Sequence, residues 1–156
     1  MAATIDHARA RNHLISADPV LGAIVERRGA CGLAERPREE PLRPLARALV
    51  SQQLSVKAAA TIFSRFLALY PGDRFPSPAQ VLDTSVEALR GVGLSRQKAS
   101  YLHDLCGRVA SGALALDALD DLTDDQVMET LTAVKGIGRW TAEMILSWAS
   151  PAATLR

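Results

Sequence analysis

The residues best suited to chemistry lie between Leu131 and Trp148, in the string LTAVKGIGRWTAEMILSW. Two apolar helical patterns flank a short turn, Lys135-Gly136-Ile137-Gly138. Glycines one residue apart let a backbone take positive φ and approach another group without a Cβ in the way. The second glycine opens a new helix, whose first N–H groups lack internal partners and carry the positive end of the helix dipole. A phosphate suits such a turn. An ordinary helix corner with glycine as the C-cap has the same GxG pattern, so the turn alone leaves both readings open. Ile137 is placed to point back and pin the two helices together, while Lys135 and Arg139 are nearby cations.

A second unusual stretch is Ser51-Gln52-Gln53-Leu54-Ser55, five residues, four of them polar, that interrupt an apolar pattern. By themselves they mark a loop between two helices. His7, His13 and His103 are scattered, without ligand spacing, and read as surface or helix-face histidines. Cys31 and Cys106 are too few for a disulfide framework or a four-thiolate cluster, and are expected as two buried thiols.

The elements that must position these groups are helical. At 156 residues, with 48% hydrophobic and 22% charged residues, the chain has the composition of a soluble globular domain able to bury a core. No apolar run could span a bilayer, and Met1 to Arg11 has no signal-peptide core, so a cytosolic protein is expected. Net charge is only +1, and bulk electrostatics names no partner. Lys and Arg exceed Asp and Glu by three between Ser51 and Gly112, whereas acids dominate from Ala113 onward. A nucleic-acid surface would draw on the middle segment and the glycine turn, with the acidic run facing away.

Strand signals are nearly absent. Asp6 is placed to cap a first helix, and Asp18-Pro19 to start a second, Val20 to Arg28, closed by Gly29. Cys31 to Glu40 reads as a polar connection. Pro41 and Pro44 suit the first turn of a helix through Leu45, Leu49 and Val50. Ser55 caps a strongly amphipathic helix carrying Ala59, Ile62, Phe63, Phe66, Leu67 and Tyr70, ended by Pro71-Gly72. Ser77 and Ser85 open two short helices, and Gly91-Val92-Gly93 stops the second. Ser95 caps a long helix with Ala99, Leu102, Cys106 and Val109 on its apolar face, and with Arg96, Lys98 and Arg108 off it. Asp117 to Asp121 reads as a loop. Thr123-Asp124-Asp125-Gln126 is a capping box for the helix entering the glycine turn. Beyond that turn, Met144, Ile145 and Trp148 form an apolar face that ends before Pro151. The expected fold is all-α, a compact multi-helix bundle, with residues 1–40 as N-terminal helices plus a connection and 41–156 as the principal domain.

Three segments, in order, resemble the helix-hairpin-helix (HhH-GPD) DNA glycosylase superfamily, most nearly its bacterial 3-methyladenine DNA glycosylase II branch. LTAVKGIGRWTAEMIL is similar to that family's hairpin. LVSQQLSVKAAATI is similar to the helix–loop–helix that pushes a side chain into the duplex, and VGLSRQKASYLHDL to the motif entering the helix before the hairpin. The resemblance implies a base-excision repair enzyme, a monofunctional DNA N-glycosylase that removes alkylated purines such as 3-methyladenine by hydrolysis. Such an enzyme grips phosphate rather than reading base edges. It implies Lys135, Gly136, Ile137, Gly138 and Arg139 as the phosphate grip. It also implies Gln53 as the wedge filling the gap left by a flipped nucleotide, with Leu54 second and Gln52 beside them.

By the same resemblance Trp140 stands where glycosylases that also cleave the backbone hold a Schiff-base lysine. Tryptophan has no amine, so lyase chemistry is not expected. Its electron-rich face suits a cationic alkylated purine, and Tyr101 is a further wall of that pocket. Trp148 is assigned to the core. The implied metal is a monovalent cation, Na⁺ or K⁺, on the backbone carbonyls of Thr132, Val134 and Ile137. Two cysteines are too few for the iron–sulfur cluster of the endonuclease III branch. The expected partner is double-stranded DNA containing alkylated bases, bound by a monomer in a cytoplasmic, nucleoid-associated setting without membrane contact.

The family's catalytic aspartate follows the hairpin's second helix and is expected beyond Arg156. After Glu143 the sequence contains no carboxylate, and Glu143 itself reads as a solvated helix residue. A truncated or frameshifted enzyme, a fragment, and a non-catalytic relative all fit, and truncation with weak or absent activity is the expectation. The alternatives are a non-catalytic DNA-binding or alkylation-damage-binding module and, from another class, a helical protein–protein module whose glycine turn is only a corner.

Overall fold

The computed structural model describes residues 7–30, 40–72 and 74–149. They fall into two compact units, one holding the first two helices and the other running from Glu40 to Ala149. The Asp6 cap, the Cys31–Glu40 connection up to residue 39, with Cys31 in it, and the helix stop at Pro151 lie outside the described residues.

In the first unit, α1 (His7–Ala17) and α2 (Pro19–Arg28) form a hairpin. Asp18 turns the chain by accepting the Val20 and Leu21 N–H groups at 2.7 and 3.0 Å, and Gly29 ends α2 at φ +77°. The helices touch at Gly22, where a Cβ would stand 2.9 Å from the Ile15 carbonyl oxygen.

The second unit comprises α3 (Leu42–Ser51), α4 (Val56–Leu67), α5 (Pro78–Asp83), α6 (Val86–Gly91), α7 (Arg96–Ala110), α8 (Asp124–Thr132) and α9 (Arg139–Ala149). Among the described residues there is no strand. Ser55, Ser77, Ser85, Ser95 and Thr123 cap the helices that follow them, each accepting an orphan N–H from the first turn. Ser77 with Gln80 and Thr123 with Gln126 complete reciprocal capping boxes. Two local expectations change. α4 stops at Leu67 and leaves Tyr70 in a following turn. Leu116–Asp121 is a 3-10 turn rather than a loop, because Leu114 is buried and Leu116 and Leu119 lie partly covered against the core.

α3 and α7 form the middle of the core. α3 packs on α4, α7 and α9, and α7 packs on α3, α5 and α6. Leu45, Leu49 and Val50 of α3 meet Leu102, Leu105 and Cys106 of α7, all essentially excluded from water. Burial pushes the Cys106 thiol up to about 12, the behaviour of an inert packing group. α8 and α9 close as a hairpin over Val127, Leu131, Val134, Ile137, Ala142 and Ile145.

If α7 is the spine of this core, Leu102→Ala costs about 2–5 kcal/mol of unfolding free energy, a cavity with no route to collapse. Leu82→Ala, at a position 39% exposed, costs less than about 1 kcal/mol. Urea denaturation of the two variants reads the contrast.

Candidate nucleic-acid interface

The α8–α9 turn is closed by the Ile137 N–H, which donates to the Val134 carbonyl at 3.1 Å. Gly136 takes the third position of that turn at φ +85°, as a type II turn demands. Gly138 does not share this conformation. Its φ is ordinary, and a Cβ on it would meet nothing within 4 Å. The two glycines therefore differ: Gly136 is required by the fold, whereas Gly138 is left open toward solvent. The Gly138 carbonyl starts α9 by accepting from the Ala142 N–H at 3.0 Å. Ile137 is 3% exposed and pins α8 to α9, as its place in the turn predicts.

Gly136 is required for a second reason. A Cβ there would overlap the Tyr101 ring of α7. Tyr101, expected as a further wall of the base pocket, lies against the hairpin backbone at Gly136, and its hydroxyl accepts from Gln97 Nε2 at 2.5 Å. One turn further along α7, Asp104 accepts the Lys135 N–H at 3.0 Å and the Arg108 Nε–H at 2.9 Å. The Lys135 ammonium stands 3.7 Å from its other oxygen. Burial alone would raise the Asp104 carboxyl, but the bonds from Lys135 and Arg108 and their charges prevail and hold it below its ordinary value. Asp104 went unnoticed in the sequence as anything but a charge, because its role depends on a partner 31 residues away.

The loop after α3 is built against this hairpin. Gln52 Nε2 donates to the Gly136 carbonyl at 2.7 Å across 84 residues of sequence. Lys98 of α7, expected off the apolar face and hence in solvent, turns inward. Its ammonium donates to the Val50 and Gln52 carbonyls at 2.7 Å each. These are the exposed negative end of α3, where a cation is favoured. Desolvation lowers the Lys98 pKa. Gln53 then takes φ +55°, a left-handed conformation costing a non-glycine residue about 1–2 kcal/mol, and is presented to solvent with Leu54 at 37% exposure.

Of the remaining residues singled out in the sequence, Trp140 is 72% exposed at the start of α9, a large apolar surface that no packing explains. Arg139 is no unengaged cation: its Nε donates to Glu143 Oε1 at 2.8 Å, one turn along the exposed side of α9. Glu143 is correspondingly committed to a cation rather than poised as an acid. Thr132 bonds through its hydroxyl to the Met128 carbonyl at 2.7 Å. The side chain of Trp148 lies outside the described residues. His103 Nε2 is 3.0 Å from the Thr84 carbonyl, a structural contact, and the described residues include no group of three or more His, Cys, Asp or Glu that could hold a metal. No helix of the described residues is long and apolar enough to cross a membrane.

Two outcomes follow for stability. Gly136→Ala forces a positive φ on alanine and a clash with Tyr101, and is expected to lower unfolding free energy by more than about 2 kcal/mol, whereas Gly138→Ala leaves it within about 0.5 kcal/mol. Asp104→Asn is destabilising near neutral pH. Because the native carboxyl lies below its unfolded value, its contribution is complete above about pH 4–5 and lost as pH falls through the native pKa. Thermal melts of wild type and Asp104→Asn should differ at pH 7 and converge as the pH falls through the lowered native pKa.

The chain is similar in sequence and fold to known proteins. Residues 46–149 match the family model of the HhH-GPD superfamily base excision DNA repair proteins. The alkylbase DNA glycosidase-like protein mag2 of Schizosaccharomyces pombe is 32% identical over 146 residues, 92% of this chain and 68% of that protein. Among solved structures, a DNA-3-methyladenine glycosidase from Bacillus halodurans superposes with a TM-score of 0.74 at 36% identity, covering 89% of this chain and 63% of that one. The S. pombe 3-methyladenine DNA glycosylase Mag1, in complex with abasic DNA, gives 0.73 at 35% identity, with 90% and 69% covered. The chain spans 36% to 68% of the length of the curated relatives it matches. With a family model covering two thirds of its residues, and all-α architecture throughout those described, this chain belongs to the HhH-GPD superfamily of base-excision DNA repair proteins.

Proposed function

We propose that this chain grips duplex DNA at alkylated purines and extrudes the damaged nucleotide, as part of monofunctional N-glycosylase chemistry. The observation that carries the proposal is the pairing of an exposed left-handed Gln53-Leu54 loop with the glycine hairpin through the Gln52–Gly136 bond. Relatives named for 3-methyladenine glycosylase activity, and one bound to abasic DNA, support the same reading.

On this reading the open side of Gly138 admits a phosphate to the N-terminal turn of α9, where N–H groups without helical partners and the dipole favour an anion. The Lys135 N–H is already given to Asp104, so the anion is held by the groups beyond Gly136. The Lys135 side chain, 66% exposed, and the other guanidinium nitrogens of Arg139 add positive charge. Gln53 and Leu54 fill the stack as the base leaves it. Trp140 offers its exposed face to the cationic purine, a contact worth about 0.5–2 kcal/mol. With Trp140 in place of an amine, hydrolysis rather than Schiff-base cleavage is the outcome.

The Thr132, Val134 and Ile137 carbonyls are proposed to hold Na⁺ or K⁺. They are neutral oxygen donors grouped at one bend, and the Val134 carbonyl keeps a second lone pair beside its bond to Ile137. Such an ion would stiffen the turn and add positive charge beside the phosphate. A protein acting on DNA works where the DNA is kept, and the cytoplasmic, nucleoid-associated, monomeric form is part of this proposal.

The test uses the 156-residue chain with duplexes that are undamaged, carry an abasic analogue, or carry 3-methyladenine. Preference for the abasic duplex by about tenfold or more is expected, together with no release of free 3-methyladenine. Gly138→Ala should weaken binding without lowering the melting temperature, and Trp140→Ala should weaken capture of the methylated duplex by roughly 2- to 30-fold. Equal affinity for all three duplexes would overturn the damage reading. Release of base by this chain would place the acid within it.

A further inference from the structure

Grip and wedge come from distant parts of the sequence, yet extrusion succeeds only if the wedge enters at the base step chosen by the gripped phosphate. Misplacement by about 1 Å is enough to defeat such a constellation. Gln52 touches both parts. Its side chain donates to the Gly136 carbonyl and its own carbonyl accepts from Lys98, each at 2.7 Å. Lys98 also holds the Val50 carbonyl at 2.7 Å. The two carbonyls anchored by Lys98 flank the last residue of α3, and Gln53 at φ +55° follows immediately. A left-handed non-glycine residue persists only where its surroundings over-determine it, and here Lys98 fixes the backbone on its N-terminal side. α7 carries the other half of the linkage, because Tyr101 and Asp104 hold the hairpin from the helix that bears Lys98.

Resting on the DNA-extruding function proposed above, we infer that Lys98 is the positioning residue of the wedge. Through the Val50 and Gln52 carbonyls it sets the turn that aims Gln53. Through the Gln52 amide on Gly136 it fixes the distance between wedge and hairpin, so grip and extrusion act on one nucleotide. Lys98 itself touches no DNA in this role, and its loss acts on extrusion more than on grip.

The experiment uses a duplex with a tetrahydrofuran abasic analogue and 2-aminopurine on the opposite strand, whose fluorescence reports the wedge entering the stack. Lys98→Met keeps the aliphatic stem and removes the ammonium. The expected result is affinity for undamaged duplex within about threefold of wild type, with an unchanged salt slope, and a 2-aminopurine response at saturation reduced about fivefold or more. Arg90→Met, an exposed charge control, retains the full response. Gln52→Leu leaves Lys98 on the Val50 and Gln52 carbonyls and removes only the amide bond to Gly136, so it should reproduce the loss through the other half of the linkage, and the double variant should lose no more than the worse single one. Should Lys98→Met fail to fold, Lys98→Gln, whose shorter neutral amide cannot hold both carbonyls, takes its place. A full response from folded Lys98→Met or Gln52→Leu would overturn the inference, as would binding and response falling together with the melting temperature, the mark of a simple helix cap. Wild type that binds duplex without any fluorescence change would instead overturn the wedge function itself.

Discussion

The contact between the Tyr101 ring and the Gly136 backbone constrains everything around it. A ring can lie on a main chain only where no Cβ intervenes, and only a glycine tolerates the +85° φ that the Val134–Ile137 turn imposes there. With that contact made, the hairpin cannot slide along α7. Its carbonyl at Gly136 then faces Gln52, and its N–H at Lys135 faces Asp104. The polar bonds give direction, while the buried side chains of Val134 and Ile137 give the turn its hold on the core. A turn of four residues is thereby fixed by groups from two distant stretches of sequence, the loop after α3 and α7.

α7 does this with one helix face. Gln97, Tyr101, Asp104 and Arg108 follow one another at spacings of four, three and four, so they line up along the helix. Lys98, one residue off that line, reaches the end of α3 instead. The opposite face, Ala99, Leu102, Leu105 and Cys106, is core. The helix is thus a strut: the line from Gln97 to Arg108 holds the hairpin, while Lys98, beside the buried Leu102 and Leu105, holds the end of α3. Desolvation lowers the Lys98 pKa, and its ammonium is held by two short bonds to the Val50 and Gln52 carbonyls, while the burial of Asp104 is more than offset by Lys135 and Arg108.

How much of this could be read from the sequence divides along the range of the interactions. Ser55, Ser77, Ser85, Ser95 and Thr123 announce their helices because a cap bonds to an N–H three residues away. The apolar spacing of α4 and α7 gives their buried faces for the same local reason, and the string around Gly136 carries the family resemblance. What stayed hidden depends on partners far along the chain. Lys98 looks like a solvated charge until α3 is seen to end beside it, and Gln52 looks like part of a polar loop until Gly136 is placed. Gly136 and Gly138 look alike in sequence; only the Tyr101 ring distinguishes the one that the fold needs from the one that it leaves open.

That distinction bears on how such a protein finds damage without reading sequence. Groups spent on internal bonds cannot also hold DNA, and here the Lys135 N–H, the Gly136 carbonyl and the Arg139 Nε–H are all spent. The unspent surface is narrower: the N–H groups at the start of α9, the open side of Gly138, the Trp140 face and the Gln53-Leu54 tip. Under the proposed function, phosphate recognition would fall to a few backbone donors, which are indifferent to base identity, and discrimination to whether a base leaves the stack easily enough for the tip to replace it. A rigid separation between grip and tip makes that discrimination possible. If the two could drift apart, an undamaged base would yield to the wedge almost as readily as a damaged one, because the wedge would settle at whichever step offered least resistance. On the proposed function, internal bonding of the hairpin would give up some direct contacts to DNA and gain selectivity for a weakened base step.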